Sequence, residues 1–150
     1  MYNNKIINVF NKENVSSAPI WFLRQAGRHI PEYFSIRSQS KDFIDFCLNT
    51  DLIVQSTKLP LKYYDIDAAI VFSDILMIPW AMRRNVEFLK GVGPVMDPMI
   101  PNKTEILNDI DIKNLFKPLD QALKILRSSI PNNVALIGFA GAPWILACYM

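Results

Sequence analysis

The sequence has 150 residues, of which 51% are hydrophobic and 20% are charged, and its formal net charge at pH 7 is +2. This length and composition predict an ordinary globular protein with a real core. A net charge this close to neutral argues against nucleic acid or an acidic membrane surface as a partner.

The N-terminal stretch and the two cysteines predict a cytoplasmic location. Residues 1–15 are polar and lack the apolar core of a signal peptide. Cys47 and Cys148 are far apart without a partner motif, so we expect reduced, buried thiols. The uncharged stretch Val134–Met150 would make a helix of roughly 25 Å, shorter than the bilayer core of about 30 Å. Since it also contains Pro143, it is better read as a buried strand followed by a helix start.

The first predicted strand is the apolar run Ile20–Leu23, which ends in a loop carrying Arg24 and Arg28. An arginine pair just past a strand end is a good clamp for carboxylates, because each guanidinium is always charged and offers a rigid fork of donors. The Ala26–Gly27 pair between them lets the backbone turn tightly. Taken alone, this spacing is more often a solvated basic loop.

Two helices are expected next. The apolar spacing predicts one helix over residues 33–48. A second helix is predicted to begin at Thr50 or Asp51, either of which is a good N-cap, and to end at about Tyr64. Pro60 falls inside this second helix, so we expect a kink or a break there.

The middle of the chain carries a second predicted strand. Ala68–Phe72 is a continuous apolar run without polar alternation, which is typical of a strand buried on both faces of a parallel sheet. It stops at Ser73–Asp74. The stretch from Arg84 to Pro101 contains an alternating piece followed by several glycines and prolines, and this pattern predicts a short hairpin or an excursion loop.

The last third repeats the pattern of helix and buried strand. We expect a helix from about Leu119 to Ser129, a buried strand over Val134–Phe139 and a helix opened by Pro143. Alternating strands and helices indicate βαβ units with right-handed crossovers and parallel strands. The chain is therefore predicted to be α/β, either a piece of a doubly wound sheet or the opening of a TIM barrel. No G-x-G-x-x-G follows the first predicted strand, which weakens a dinucleotide-binding interpretation.

Three motifs together resemble one known family. They are the string P-x-W-x-x-R-Q-A-G-R ending at Arg28 and followed by Pro31-Glu32-Tyr33, then Phe72-Ser73-Asp74-Ile75-Leu76, then Gly138-Phe139-Ala140-Gly141-Ala142-Pro143-Trp144 with Tyr149 five residues on. In this order, from about Ala18 to Met150, they resemble the uroporphyrinogen decarboxylase family.

The resemblance implies a TIM (β/α)8 barrel that acts as a homodimer without a metal or an organic cofactor. Its reaction removes carbon dioxide from the four acetate side chains of uroporphyrinogen III and gives coproporphyrinogen III. Such a barrel needs about 250 residues. Residues 1–150 would then be a single partial domain, the first three βα units of an incomplete barrel. We expect a truncated or split gene product, or a piece of a longer chain, that is inactive alone.

The resemblance also implies a set of site residues. Asp74 would be catalytic and would bind the substrate, together with Arg24, Gln25, Ala26, Gly27, Arg28 and Tyr149. The arginines suit the eight carboxylates of the substrate, and Asp74 could accept pyrrole N–H bonds and stabilise a ring protonated on carbon. Taken on its own, Asp74 would be read first as the N-cap of the next helix, and Tyr149 as a packed aromatic.

Two alternatives stay open. One is a corrinoid-linked methyltransferase, a related barrel that needs zinc held by His and Cys ligands late in the chain. The other is a non-catalytic remnant that folds only with a complementary chain. The sequence also departs from the family at Arg83–Arg84, where a glycine-containing segment is common. This departure leaves the conformation of that loop open.

Overall fold

The computed structural model describes residues 4–89, 91–98 and 111–149, and these fall into two compact units. The first unit takes the residues up to Phe72 together with Pro118–Phe139, and the second takes Ser73–Lys117 together with the residues from Ala140 onward. In chain order the elements are α1 (Lys5–Phe10), α2 (Glu32–Arg37), α3 (Phe43–Cys47), α4 (Thr50–Lys58), a 3₁₀ turn (Leu59–Lys62), β1 (Ala68–Ile70), α5 (Met77–Ala81), β2 (Val86–Leu89), β3 (Gly93–Met96), α6 (Ile112–Leu115), α7 (Lys117–Ser129), β4 (Ala135–Ile137) and α8 (Pro143–Tyr149).

The first unit is organised by the parallel pairing of β1 with β4, which places Ala68 opposite Ala135 and Ile70 opposite Ile137. Both strands arise from the two continuous apolar runs, so the predicted buried strands and their parallel direction are confirmed. The ladder continues past the strand ends through the bonds from Val71 N to Ile137 O, at 2.9 Å, and from Ala135 N to Asp67 O, at 2.8 Å.

Both faces of this strand pair are covered. On one face, Ala69 and Val71 pack with Ile53 of α4 and Leu126 of α7 in a cluster that also holds Ala122, Ile130 and Val134. On the other face, Ala68 and Ala135 pack with Ile6 of α1. Burying each large aliphatic side chain of this kind stabilises the fold by about 1.5–3 kcal/mol. The sequence of α7 supplies its apolar stripe at helical spacing, as predicted for residues 119–129.

A second core of the first unit is aromatic. Phe46 is fully buried and lies 4.6 Å from Phe72 between ring centroids, while Tyr33 and Phe43 pack against the same pair. Aromatic pairs at such distances add about 0.5–1.5 kcal/mol each beyond the buried area. The Arg37 guanidinium carbon lies 5.3 Å from the Phe46 ring centroid, within the range of a cation–π interaction.

The single helix predicted over residues 33–48 is wrong, because the structure has two short helices there, α2 and α3. Short polar side chains between them hydrogen-bond the backbone and favour a turn over a continuous helix. The Ser38 hydroxyl donates to Ser35 O at 3.0 Å, and the Asp42 carboxylate accepts from Asp45 N at 2.7 Å, which caps the start of α3.

The next helix follows its prediction more closely. α4 begins at Thr50, but its N-cap is Asn49, whose side-chain oxygen accepts from Asp51 N and Leu52 N, both at 3.1 Å. The predicted cap at Thr50 or Asp51 is therefore wrong by one or two residues. The α-helix ends at Lys58 and continues as the 3₁₀ turn containing Pro60, so the predicted break is confirmed.

The predicted first strand, Ile20–Leu23, is wrong. These residues have no strand conformation and are exposed, with 55% of Ile20 and 80% of Leu23 accessible to solvent. Within the described residues their backbone forms one backbone–backbone hydrogen bond, from Asp67 N to Ile20 O at 2.8 Å. The backbone groups of β1 that a further strand would bind are instead taken by a side chain, described below.

The second unit contains the predicted hairpin. β2 and β3 pair antiparallel with Val86 opposite Met96 and Leu89 opposite Gly93. Gly91 and Gly93 adopt φ angles of +83° and +104°, a region that residues with a Cβ rarely adopt. The end of the predicted excursion, at Pro101, lies outside the described residues. α8 begins at Pro143, as predicted.

Two further expectations concern the cysteines and the uncharged C-terminal stretch. Cys47 is buried as expected, but Cys148 is exposed, so burial of both thiols is wrong. Cys148 lies near the end of α8, none of whose described residues is buried. Among the described residues, no helix is long and apolar enough to cross a membrane.

Two adjacent residues of α4 should differ in how much stability is lost when their hydroxyls are removed. The Thr57 hydroxyl is buried and accepts from Phe72 N at 2.9 Å, so Thr57→Val leaves a buried N–H unpaired and should cost about 1–3 kcal/mol. Within the described residues the buried Ser56 hydroxyl has no partner, so Ser56→Ala should change stability by less than about 1 kcal/mol, in either direction. Urea unfolding measures both; a Thr57→Val variant as stable as Ser56→Ala would contradict this bond.

Candidate functional site

The arginine loop, residues Arg24–Arg28, belongs to the first unit and precedes α2. Its two arginines are exposed, Ala26 and Gly27 are half-buried, and Gln25 is buried with 5% of its surface accessible. The turn closes with a hydrogen bond from Ile30 N to Gly27 O at 3.0 Å. The loop therefore exposes its two arginine side chains on either side of the buried Gln25.

Gln25 fixes this loop to the strand pair. Its side-chain Nε2 donates to Ala68 O at 2.8 Å, and its Oε1 accepts from Ile70 N at 2.9 Å. Both bonds span more than 40 residues of sequence and join the loop to β1. The Gln25 side chain, predicted to bind substrate, is thus buried with both of its functional atoms hydrogen-bonded to β1.

The arginine loop presents hydrogen-bond donors without partners. Within the part of the chain that the structure describes, neither guanidinium has a hydrogen bond or an ion pair, and the backbone N–H groups of residues 24–29 make no hydrogen bond. Two guanidiniums beside a run of backbone donors form an arrangement suited to carboxylate oxygens.

Charged and aromatic groups surround the loop. Arg28 lies close enough to Tyr33 for its charge to act on that hydroxyl. Burial raises the pKa of Tyr33, and the nearby charges of Arg37 and, more weakly, Arg28 oppose the rise. His29 is an exposed loop residue, and its ring stacks on Tyr64 with 6.4 Å between centroids.

Asp74 belongs to the second unit and shapes the turn before α5. Its Oδ1 accepts from Leu76 N at 2.8 Å, whereas the N-cap of α5 is Leu76, which has no side-chain cap. Asp74 is therefore a turn residue and not the helix cap that its position also suggested. Burial raises the pKa of its carboxyl, and the hydrogen bond from Leu76 N partly opposes the rise. Among the described residues, its Oδ2 has no hydrogen bond and neither oxygen has an ion pair.

The second unit also contains Gly141 and Tyr149. A Cβ at Gly141 would lie 2.7 Å from a Leu146 side-chain atom and 3.1 Å from Ile75 Cβ, so glycine allows the start of α8 to approach the residue next to Asp74. Tyr149 near the end of α8 is 45% exposed, and within the described residues its hydroxyl makes no hydrogen bond. It is not the packed aromatic that its position alone would favour.

A cavity of about 540 Å³ in the second unit holds none of the predicted site residues. The residues that line this cavity include Trp80, Arg83, Arg84 and Asp111. Arg83 has a φ of +60°, so the loop that departs from the family adopts a left-handed turn. In the described ranges no group of three or more His, Cys, Asp or Glu side chains is placed to hold a metal ion.

The first unit holds a parallel strand pair covered on both faces and a donor-rich loop suited to an acidic ligand, and the second unit holds a half-buried carboxylate. These features define an α/β protein with a candidate ligand-binding loop. The chain belongs to the uroporphyrinogen decarboxylase (URO-D) family, whose sequence model matches residues 1–150. This confirms the resemblance carried by the three motifs.

Individual relatives agree with the family match. Uroporphyrinogen decarboxylases from Agrobacterium fabrum and Chelativorans are 43% and 42% identical to this chain over 150 residues, and one from Brucella ovis is 38% identical over 148 residues. These matches cover 100%, 100% and 99% of this chain but 44%, 44% and 43% of the relatives. The chain therefore spans less than half the length of the curated relatives it matches.

A solved structure supports the fold. A methyltransferase from Methanosarcina mazei superposes with a TM-score of 0.68 over 99% of this chain and 44% of the methyltransferase, at 14% sequence identity. At this identity the likeness shows the fold alone, and it agrees with the predicted α/β class.

Asp74→Asn should stabilise the protein at neutral pH. The asparagine oxygen can still accept from Leu76 N, but the cost of holding a half-buried charge is removed. Because the pKa of Asp74 is raised in the folded state, the wild type is penalised above that pKa and loses the penalty as the carboxyl protonates. The gain should therefore shrink as pH falls and vanish below the unfolded value of 3.8. Urea unfolding across pH measures it; a variant less stable than wild type at neutral pH would contradict it.

Two glycines of the third motif should differ in their tolerance of alanine. Gly141→Ala forces its new Cβ against Leu146 and Ile75 and should cost about 1–3 kcal/mol. Gly138→Ala is the matched control, since nothing lies within 4 Å of its Cβ position, and it should stay within about 0.5 kcal/mol of wild type. Thermal unfolding measures the stability of the two variants. An equal loss of stability in both would contradict the role of crowding at Gly141.

Proposed function

We propose that this chain is the N-terminal part of a uroporphyrinogen decarboxylase, a carboxy-lyase of porphyrin and haem biosynthesis. The substrate is uroporphyrinogen III, and the product is coproporphyrinogen III after four acetate side chains have lost carbon dioxide. Residues 1–150 form one partial domain that opens a TIM (β/α)8 barrel, in which β1 and β4 are neighbouring strands. The homodimer, the cytoplasmic location and a reaction without metal or organic cofactor are part of the same proposal.

The arginine loop binds carboxylates of the substrate in this proposal. Arg24 and Arg28 are exposed and unpaired within the described residues, and the loop backbone, including Ala26 and Gly27, offers further donors. The substrate carries eight carboxylates, so charge-assisted hydrogen bonds to guanidinium and backbone N–H groups suit it. Each such bond to a charged group is worth about 1.5–3 kcal/mol.

The surroundings of the Asp74 carboxylate are the observation that carries the proposal. This carboxylate has one oxygen held by Leu76 N and the other without a partner in the described residues, in surroundings that desolvate it. Such a carboxylate can accept the inward-pointing pyrrole N–H groups and stabilise positive charge on the ring. Preorganised electrostatic stabilisation of this kind is commonly the largest contribution to catalysis.

The proposed chemistry uses the pyrrole ring itself as the electron sink. A proton adds to a ring carbon and leaves the ring cationic next to the Asp74 carboxylate. The bond between the acetate methylene and its carboxylate then breaks, carbon dioxide leaves, and the electron pair enters the ring. The methylene carbon takes up one proton and the ring carbon loses the other, so a hydrogen replaces the carboxylate. Tyr149 supplies a hydroxyl that hydrogen-bonds near the substrate.

The test uses the native gene product that contains these residues and follows coproporphyrinogen formation by chromatography. Asp74→Asn should lower kcat about 100- to 1,000-fold with a smaller change in KM. Arg24→Ala should mainly raise KM, about 10- to 100-fold, and Arg24→Lys should restore only part of the loss, because lysine keeps the charge without the fork. Asp65→Asn, an exposed acidic position, is the control and should behave as wild type.

Three outcomes would contradict parts of this proposal. An Asp74→Asn variant with wild-type kcat would remove Asp74 from catalysis. Equal loss of folding and rate would make it a structural turn residue only. Tight porphyrinogen binding by the wild-type protein without any turnover would identify a non-catalytic remnant in place of an enzyme.

A further inference from the structure

β1 has two edges, and only one of them is paired with a strand in the described residues. The bonds from Ala135 N to Asp67 O and from Val71 N to Ile137 O show that alternate residues of this segment face β4. In a parallel ladder, the residues between them turn their backbone groups to the opposite edge. Ala68 O and Ile70 N therefore face away from β4.

Gln25 closes this second edge with its side chain. A primary amide carries the same donor and acceptor as a peptide group, and Nε2 to Ala68 O at 2.8 Å and Ile70 N to Oε1 at 2.9 Å occupy the two positions that a neighbouring strand would fill. Thr57 Oγ1 accepts from Phe72 N on the same run of alternate residues. Side chains thus replace a strand at this edge, next to the segment Ile20–Leu23 that forms none.

We propose that Gln25 is a positioning residue: its side-chain amide fixes the arginine loop to the edge of β1 and so sets where Arg24 and Arg28 meet the substrate. The side chain itself does not touch the ligand, because it is 5% exposed and both its functional atoms are engaged. Arg24 precedes it directly and Arg28 follows three residues later, so freeing the amide would free both guanidiniums. The substrate part of this inference rests on the proposed function.

Gln25→Glu tests the amide with a change that pH can reverse. A neutral carboxyl group has one O–H donor and one carbonyl acceptor, which is the pair that Ala68 O and Ile70 N require. An ionised carboxylate has acceptors only and would face Ala68 O without a donor. Burial raises the pKa of such a glutamate above its ordinary value of about 4.3, so the anchor should hold in mild acid and fail as pH rises.

Limited trypsin cleavage after Arg24 and Arg28 reports the loop without any substrate. At about pH 7.5 the Gln25→Glu protein should be cleaved there about 10-fold faster than the control Gln39→Glu, and at about pH 5.5 within about 2-fold. Gln39 lies exposed just beyond α2, and within the described residues its side chain bonds only Ser35 O of that helix, so the control adds the same charge without touching β1. Gln25→Leu should be cleaved fast at both pH values, since it can form neither bond.

Kinetics give the second readout. Gln25→Glu should raise KM for uroporphyrinogen III about 10-fold at about pH 7.5 and approach the control at about pH 5.5, with kcat changed less than KM. Other charged groups near the anchor are Arg24, Arg28, Asp67 paired with Lys5, and His29. These groups are the same in every variant, so any effect of pH on them cancels when Gln25→Glu is compared with Gln25→Leu and Gln39→Glu.

The outcomes separate this inference from the proposed function. Faster cleavage that reverses with pH supports the anchor even if the wild type turns over no porphyrinogen, a result that would overturn the proposed function alone. A raised KM at both pH values with wild-type cleavage would make Gln25 a ligand contact and overturn the inference. If Gln25→Glu fails to fold, hydrogen exchange of the wild type decides: the Ile70 amide should be protected like the Val71 amide, and rapid exchange at Ile70 would overturn the anchor.

Discussion

The hydrogen-bonding of β1 on both of its edges is the constraint on which the first unit depends. One edge is closed by β4, and the other by the side chains of Gln25 and Thr57. A buried backbone N–H or carbonyl without a partner is costly, so a three-residue strand with apolar clusters on both faces requires both sets of bonds. The same bonds attach the arginine loop and α4 to the strand. A polar residue in the loop therefore contributes to the fold and to the presentation of the site at once.

The sequence predicted the buried strands and the helices around them because burial leaves a local pattern. The uninterrupted apolar runs at Ala68–Phe72 and Val134–Phe139 gave β1 and β4, and their parallel direction followed from the helices between them. The run Ile20–Leu23 has a similar pattern but is exposed and unpaired along most of its length. An apolar run shows only that a segment is hydrophobic. Strand formation also needs backbone partners, and the side chain of Gln25 occupies those at this edge of β1. The division of residues 33–48 into two helices likewise came from Ser38 and Asp42, whose side chains compete locally for backbone groups.

The sequence named residues for a candidate site but not the contacts that these residues make. Three motifs named Arg24–Arg28, Asp74 and Tyr149, and the family match covers the whole chain. The bonds of Gln25 to Ala68 and Ile70 join residues 43 and 45 positions apart, and no local pattern encodes such a distance. One signal was present: an amide side chain between two arginines just after a predicted strand is a candidate for an edge partner. For Asp74, the residues alone favoured the helix cap and only the family resemblance favoured a catalytic role; the start of α5 at Met77 removes the cap.

Each unit has charged side chains without an ion-pair partner among the described residues: Arg24 and Arg28 in the first and Asp74 in the second. Stability alone would favour a cation beside the half-buried Asp74 and an anion beside Arg24 and Arg28, yet the described residues supply neither, although acidic and basic side chains are plentiful in the sequence. The ion pairs that do form, Lys5–Asp67 and Asp120–Lys124, lie elsewhere. On the proposed function, carboxylates of the ligand would pair with the arginine loop and its N–H donors with Asp74, and binding would supply the interactions that the folded protein alone forgoes. On the proposed function, filling either site with an internal partner would increase stability at the expense of substrate binding, which is the usual trade between the two.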